Sequence, residues 1–303
     1  MASIKNQNRQ NYELVYVIER NEKLAELVAH ESKKFGLGVA VISKEGVMGL
    51  AESRNLGARS ATGDLVAFVD DDVILAPNWS EMVEDAFRIY GNAAGMTGPA
   101  YPVWVGPPAT WLPKELDWLI GCTEWFSSDR VTEIGNCWGM NMVFRRSAFE
   151  RVGGFSTNTQ ESSRYLRHGF SQVNESDSLT RKGRMAEDLD ISLRIRKAAI
   201  GVILYNPGMV VYNKVHRYRL SSRYIIERAS WIAFSRRNAS RYASMSGLAK
   251  SHLEPGLSVR ILFSLVDLRR VSLGRSGDLA KRFKTVLLLL VSMLIGYLFG
   301  PIQ

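Results

Sequence analysis

The chain has 303 residues, 46% of them apolar and 23% charged, which is enough to bury a sizeable core and too apolar for a disordered chain. A net charge of +9 points to an anionic partner (nucleic acid, an anionic membrane surface or a phosphorylated substrate) without choosing among them. Only two cysteines occur, Cys122 and Cys137, which excludes a disulfide framework and a cysteine-rich metal site.

The first dozen residues, MASIKNQNRQNY, are polar and carry no secretory-signal pattern. Short apolar runs then alternate with amphipathic stretches, the pattern of βαβ units and a mostly parallel sheet flanked by helices. LVYVI at 14–18 reads as a strand, Asn21 to Lys34 as a helix, VAVI at 39–42 as the next strand, and Met48 to Ala61 as a second helix stopped near Gly63. LVAFV at 65–69 is apolar throughout, as expected of a strand covered on both faces. It runs into Asp70, Asp71 and Asp72. Behind Pro77, the residues Trp79, Met82, Val83, Ala86, Phe87 and Tyr90 recur at helical spacing. The aspartates therefore lie between a strand's C-terminal end and the following helix, where ligands bind in open α/β sheets.

From Gly95 to Trp138 the alternation gives way to Pro-, Gly- and Trp-rich sequence. WGMNMVFRRSAF, 138–149, predicts a strand entering a helix, and the polar stretch from Ser156 to Arg184 reads as a binding loop. Ala186 to Ala199 is helical, with Glu187, Asp188 and Asp190 in its first turn and Arg194, Arg196 and Lys197 near its end, the charge order a helix dipole favours. VILYNP at 202–207 reads as the last strand. Beyond Leu220 the chain is basic and helical, and LSVRILFSLVDLRRV can lay an apolar face on a membrane. The tail from Thr285 carries no charge and has the length of a bilayer core, and it follows Arg269, Arg270, Arg275, Lys281, Arg282 and Lys284. This pattern predicts association with the cytoplasmic face of the cell membrane through a single C-terminal membrane-spanning segment. The alternative is a buried or interfacial hairpin helix.

Three adjacent carboxylates at a strand end are relieved either by solvent or by a divalent cation. Hard oxygen ligands on a short turn suit Mg²⁺ or Mn²⁺, and Asp70 and Asp72, one residue apart, can turn towards one ion while Asp71 points elsewhere. Glu187 and Asp188 could supply a general base or simply an acidic helix start.

The blocks GLAESRNLGARSATGDLVAFVDDDV, GMNMVFRRSAFERVGGF, MAEDLDISLRIRKAAIGVILYNP and RYIIERASWIAFSR follow the order seen in family 2 glycosyltransferases, and the chain resembles that family over residues 13–235. The resemblance implies a GT-A fold, Rossmann-like, with basic helices and a hydrophobic membrane segment behind it. It divides the chain into a nucleotide-sugar-binding half (1–94), an acceptor-binding half (95–219) and a basic membrane-associating region (220–303) with an apolar tail at 285–302. It further implies a nucleotide-diphosphate sugar donor and an Mg²⁺ or Mn²⁺ ion held by Asp70 and Asp72. Arg54, Asp71 and Glu19 would lie by the nucleotide, Asn141 beside the donor sugar, Glu187 near the acceptor, and Asp188 would be the catalytic base of an inverting transfer. Lipid-linked or surface-polysaccharide acceptors and membrane lipids are the expected partners, and nucleic acid is not. One or two of Trp104, Trp111, Trp118, Trp125 and Trp138 are expected to line the acceptor site.

The family pattern is departed from in two places. The family opens with a further strand and turn ahead of the one LVYVI resembles, which leaves open a start short of the family's or a nucleotide pocket built with less. Asn213 stands where related sequences carry a histidine, with His216 three residues on. A non-catalytic scaffold or partner subunit on the membrane is the alternative function, and a metal-dependent phosphatase a weaker third.

Overall fold

The computed structural model of the chain describes residues 1–34, 36, 39–45, 48–157, 186–245 and 276–300. The predicted binding loop, apart from its first two residues, and the amphipathic stretch at 257–271 lie outside these residues. The described elements are α1 (Ala2–Lys5), β1 (Leu14–Glu19), α2 (Glu22–Lys34), β2 (Val39–Lys44), α3 (Leu50–Ser60), β3 (Leu65–Val69), β4 (Val73–Leu75), α4 (Trp79–Ile89), β5 (Ala93–Thr97), β6 (Ala100–Val105), a 3-10 helix (Lys114–Ile120), β7 (Thr132–Glu133), β8 (Asn141–Arg145), α5 (Arg146–Arg151), α6 (Glu187–Lys197), β9 (Val202–Tyr205), β10 (Val211–His216), a second 3-10 turn (Arg217–Leu220), α7 (Ser222–Met245) and α8 (Ser276–Phe299).

The predicted mostly parallel sheet is instead three sheets of mixed direction. In the five-stranded sheet, ordered β3-β8-β5-β9-β7, β8 runs antiparallel to both neighbours, Val66 opposite Phe144 and Met96 opposite Val143. Only β5 and β9 are parallel there. A three-stranded sheet, β4-β10-β6, and the parallel pair β1-β2 complete the set. The hidden cause is β8, a non-local insertion that places Met142, Val143 and Phe144 at the centre of the core. VILYNP is not the last strand, because β10 follows it. Nor is 95–138 without strands: β5 is built of small residues and β6 contains Pro102, and both are stabilised by neighbours rather than by their own pattern.

Behind the sheet, Phe68, Phe144, Phe149 and Phe155 form a cluster of rings with centroids 4.9–6.4 Å apart. This packs the end of β3 against the helices that bring in the chemistry. Both cysteines are buried, and burial pushes their thiols up, so neither is a nucleophile at neutral pH.

Among the described residues no helix is long and apolar enough to cross a membrane, so the expected C-terminal span is not supported. The tail instead packs as the second arm of a helical hairpin. Val286, Leu289, Thr285 and Ser292 of α8 are buried, and a Cβ at Gly296 would collide with the backbone of Ser230 on α7. Close approach at that glycine is what lets the helices pack.

Two outcomes follow from this packing. A Gly296→Leu variant loses about 1–3 kcal/mol of stability to overpacking and releases the tail to limited proteolysis, read by urea unfolding and mass spectrometry. Burial, with Glu124 nearby, pushes the Asp117 carboxyl up to about 8. An unfolded aspartate titrates near 3.9, so between those pH values the folded chain holds a proton that the unfolded chain releases. This contribution is fully present at low pH and is lost as pH rises towards 8. Asp117→Asn should flatten that loss in thermal melts taken from pH 5 to pH 8.

Candidate active site

The acidic turn leaves β3 with its three side chains divided between two directions. Asp70 Oδ1 accepts a bond from Arg54 Nη2 at 2.8 Å, Asp72 Oδ2 one from Arg219 Nη2 at 2.5 Å, and Asp71 is exposed. Desolvation within the cleft raises the Asp70 carboxyl above its ordinary value, Asp72 and Asp71 add repulsion, and Arg54 pulls the other way without cancelling the rise.

Arg54, on α3 and only 11% exposed, does more than neutralise Asp70. It also pairs with Glu187 at the start of α6 and donates to the carbonyl of Gly139 at 3.2 Å, with its guanidinium 5.8 Å from the Phe155 ring centroid. Glu187 is 1% exposed, a burial a carboxylate tolerates only with a cation beside it. The next residue, Asp188, accepts the Gly139 N–H at 3.0 Å and the Leu189 N–H at 2.8 Å, which fixes the direction of its carboxylate. Two acidic motifs more than a hundred residues apart in sequence thus meet through one guanidinium and one backbone turn.

They open on a cavity of about 180 Å³ lined by Arg54, Asp70, Glu187, Asp188, Asn213 and Arg219, with Trp118, Trp125 and Trp138 on one wall. Three of the five tryptophans line it; Trp104 and Trp111 do not, and they pack with Trp118 and Trp125 in one core cluster. Arg228 and Arg236 of α7 complete the rim. Gly121 follows the 3-10 helix in a left-handed conformation, φ +79°, and a Cβ there would lie 2.8 Å from the Asn213 amide, so glycine keeps that edge open.

Not every expected residue is brought here. Asn141 is fully buried, accepts from Trp79 Nε1 at 2.9 Å, donates to the Met209 carbonyl at 2.7 Å, and does not line this cavity; its amide ties β8 to α4 and to the loop before β10. Glu19 lies at the end of β1, where it accepts from the Met48 N–H and the Ser53 hydroxyl, and it does not line this cavity. His216 is half-buried, its ring stacked with Tyr218, centroids 6.1 Å apart. Arg219, Arg228 and Arg236 are the site's unforeseen members. The signal for Arg219 was its place just past the last strand, masked by Arg217 beside it.

The donor set fits a small hard cation. Among the described residues no group of three or more His, Cys, Asp or Glu is arranged to hold an ion, and the carboxylates of Asp70 and Asp72 would be the two that the acidic turn could supply. That suits Mg²⁺ or Mn²⁺, which complete their shell with phosphate oxygens and water. Asn213 is 2% exposed, gives its Nδ2 to the Gly121 carbonyl at 2.7 Å, and leaves a buried Oδ1 without a hydrogen-bond partner on the same cavity. A buried oxygen in that state favours a cationic or donor ligand.

Because Arg54 compensates two carboxylates at once, Arg54→Ala should cost about 3–5 kcal/mol in urea unfolding. Arg54→Lys recovers only part of that loss, since an ammonium cannot hold both acids in the same fork.

Comparison with known proteins accords with this geometry. A family model described as glycosyl transferase family 2 matches residues 1–153. A glucosyl-dolichyl phosphate glucuronosyltransferase of Haloferax volcanii is 29% identical over 237 residues, 78% of this chain and 70% of that protein. Among solved structures, the mannosyltransferase PcManGT from Pyrobaculum calidifontis in complex with GDP-Man and Mn²⁺ superposes with a TM-score of 0.56 at 17% identity, covering 98% of this chain and 81% of that one. GalNAc-T7 with UDP, GalNAc and Mn²⁺ gives 0.51 at 14% identity over 88% of this chain, which spans about half (53%) of its length. The mixed α/β architecture is the GT-A fold of these enzymes, and the chain belongs to glycosyl transferase family 2.

Proposed function

We propose that the chain is a metal-dependent, inverting glycosyltransferase that moves a sugar from a nucleotide-diphosphate donor to a hydroxyl of a lipid-linked, phosphate-bearing acceptor. The observation that carries this reading is the bridge of Arg54 between Asp70 and Glu187, which sets the diphosphate-facing turn beside Asp188. The Haloferax relative, named for a dolichyl phosphate substrate, supports the lipid-linked acceptor.

Asp70 and Asp72 would hold Mg²⁺ or Mn²⁺, which when bound supplies Lewis-acid charge to the departing diphosphate. Arg54 and Arg219 flank the same turn, placed to take up phosphate charge in bidentate fashion. Asp71, exposed at the turn, faces the nucleotide, and Glu19 sits further out on the β1 side. Asp188, oriented by its two backbone N–H bonds, removes the proton of the acceptor hydroxyl. That oxygen attacks the anomeric carbon from the face opposite the leaving diphosphate, the C–O bond to the diphosphate breaks, and the configuration inverts. Glu187 positions Arg54 and the start of α6. Trp118, Trp125 and Trp138 give the acceptor's sugar an apolar wall and exclude water.

Membrane binding in this reading comes from the outer face of α8. Leu287, Leu290, Val291, Leu294 and Leu298 are exposed on the side away from α7. Such a face would lie in a bilayer interface, where a lipid acceptor resides.

The test is transfer of radiolabelled sugar from a panel of UDP- and GDP-sugars to polyprenyl-phosphate glycans in the presence of Mn²⁺. Asp188→Asn should lower turnover by about 10²–10⁴-fold while calorimetric binding of nucleotide is unchanged. Asp72→Asn should abolish the metal-dependent part of that binding. A folded wild-type chain that neither binds UDP or GDP with Mn²⁺ nor transfers any sugar would instead be a scaffold.

A further inference from the structure

The helix that carries Glu187 and Asp188, α6, starts without the usual means of fixing a first turn. Its N-cap is Ala186, which has no side-chain oxygen to accept the exposed N–H groups. The third helical position, where a Glu or Gln could reach back to the N–H of the cap, is Leu189. The Ala186 N–H is held from another helix instead: the hydroxyl of Ser235, 3% exposed on α7, accepts it at 2.7 Å. One turn further along α7, Ala239 packs with Leu189 and Leu193 of α6.

A second buried serine carries this placement on to the carboxylate. Ser192 Oγ donates to the Asp188 carbonyl at 2.6 Å and accepts the Cys137 N–H at 3.1 Å, which ties α6 to the segment ending at Gly139. The Gly139 N–H is one of the two that orient the Asp188 carboxylate. Asp188 is thus anchored on both sides, by Ser235 before it and Ser192 after it. In turn α7 is held by α8: Gly296 approaches the backbone of Ser230, and Arg237 donates to the carbonyls of Tyr297 and Leu298 at the end of α8.

We propose that Ser235 is a positioning residue for Asp188, and that the hairpin of α7 and α8 is through it a working part of the active site. The inference rests on the reading of Asp188 as the base. A base must come within about 2.6–3.2 Å of the oxygen whose proton it takes, and a misplacement of about 1 Å costs about 100-fold in rate. The first turn of a helix frays where its N–H groups lack partners, and Asp188 is the second residue of that turn. Ser235 also lies on the wall of the cavity, so direct contact with the acceptor is the competing role. Kinetics separate the two: a positioning residue acts on turnover through Asp188, whereas an acceptor contact acts on binding.

The experiment compares the full chain with Ser235→Ala, Asp188→Asn and the double variant, in sugar transfer to polyprenyl-phosphate glycans with Mn²⁺ and in amide hydrogen exchange. Ser235→Ala should lower kcat about 10- to 100-fold, with acceptor KM and the binding of nucleotide with Mn²⁺ unchanged. In the Asp188→Asn background it should change the residual rate by less than about twofold, because a residue that acts through the base has nothing left to act on. The amides of Gly139 and Leu189 should exchange at least about tenfold faster in Ser235→Ala, with those of β8 unchanged. Full turnover in Ser235→Ala, or an equal loss in the Asp188→Asn background, overturns the proposal. A rise in acceptor KM with kcat unchanged also overturns it and makes Ser235 an acceptor contact, and unchanged exchange at Gly139 and Leu189 overturns it as well. A wild-type chain that transfers no sugar sinks the glycosyltransferase reading instead, and the exchange rates then decide by themselves whether Ser235 fixes Asp188.

Discussion

The guanidinium of Arg54 is the interaction on which the rest of the site depends. It lies between the carboxylate of Asp70, at the end of β3, and that of Glu187, at the start of α6, and bonds the Gly139 carbonyl between them. Burying Glu187 is unfavourable without a cation beside it, and crowding Asp70, Asp71 and Asp72 on one turn is unfavourable without counter-charge. Arg54 relieves both, and the aromatic cluster around Phe155 holds it from behind. Arg219 does the same for Asp72 from the far side. The charges that would bind a diphosphate and its metal are thus assembled and compensated in the free chain.

In the proposed function that assembly would act by exchange. A metal–diphosphate ligand brings its own positive and negative charge, so it can take over the compensation of Asp70 and Asp72 while Arg54 and Arg219 turn to phosphate oxygens. Asp188 accepts two backbone N–H groups, of Gly139 and Leu189, which orient its carboxylate. Under the proposed function, the cavity lined by Trp118, Trp125 and Trp138 with Arg228 and Arg236 of α7 would suit a sugar attached to a phosphate.

Much of this was legible in the sequence, and the failures have physical causes. Strands and helices with strong local period, such as LVAFV and the α4 stretch from Trp79, formed where expected, since burial of an apolar run or stripe needs little from distant sequence. The sheet's direction was misread because β8 inserts antiparallel between β3 and β5, a pairing no local pattern encodes. β5, with the sequence AAGMT, has almost no strand propensity and is held by its neighbours. The apolar tail was seen, but its burial against α7 depends on contact between Gly296 and Ser230, two positions unremarkable in isolation. At the site, the strand-end and helix-start positions of the two acidic motifs follow from local pattern, and the structure brings Asp70 and Glu187 together on Arg54. Asn141 was misjudged because a buried structural amide and a sugar-binding amide look alike in one dimension, and Arg219 was hidden among other basic residues.

The central claim is that the carboxylates of Asp70 and Asp72 are held by arginines until metal and diphosphate arrive together. Electron paramagnetic resonance of Mn²⁺ titrated into the full chain, with and without UDP or GDP, tests it most directly. The account predicts weak Mn²⁺ binding alone and tight, one-to-one binding once nucleotide is present, with both lost in Asp72→Ala. Equally tight Mn²⁺ binding without nucleotide, or no binding with it, would contradict the account.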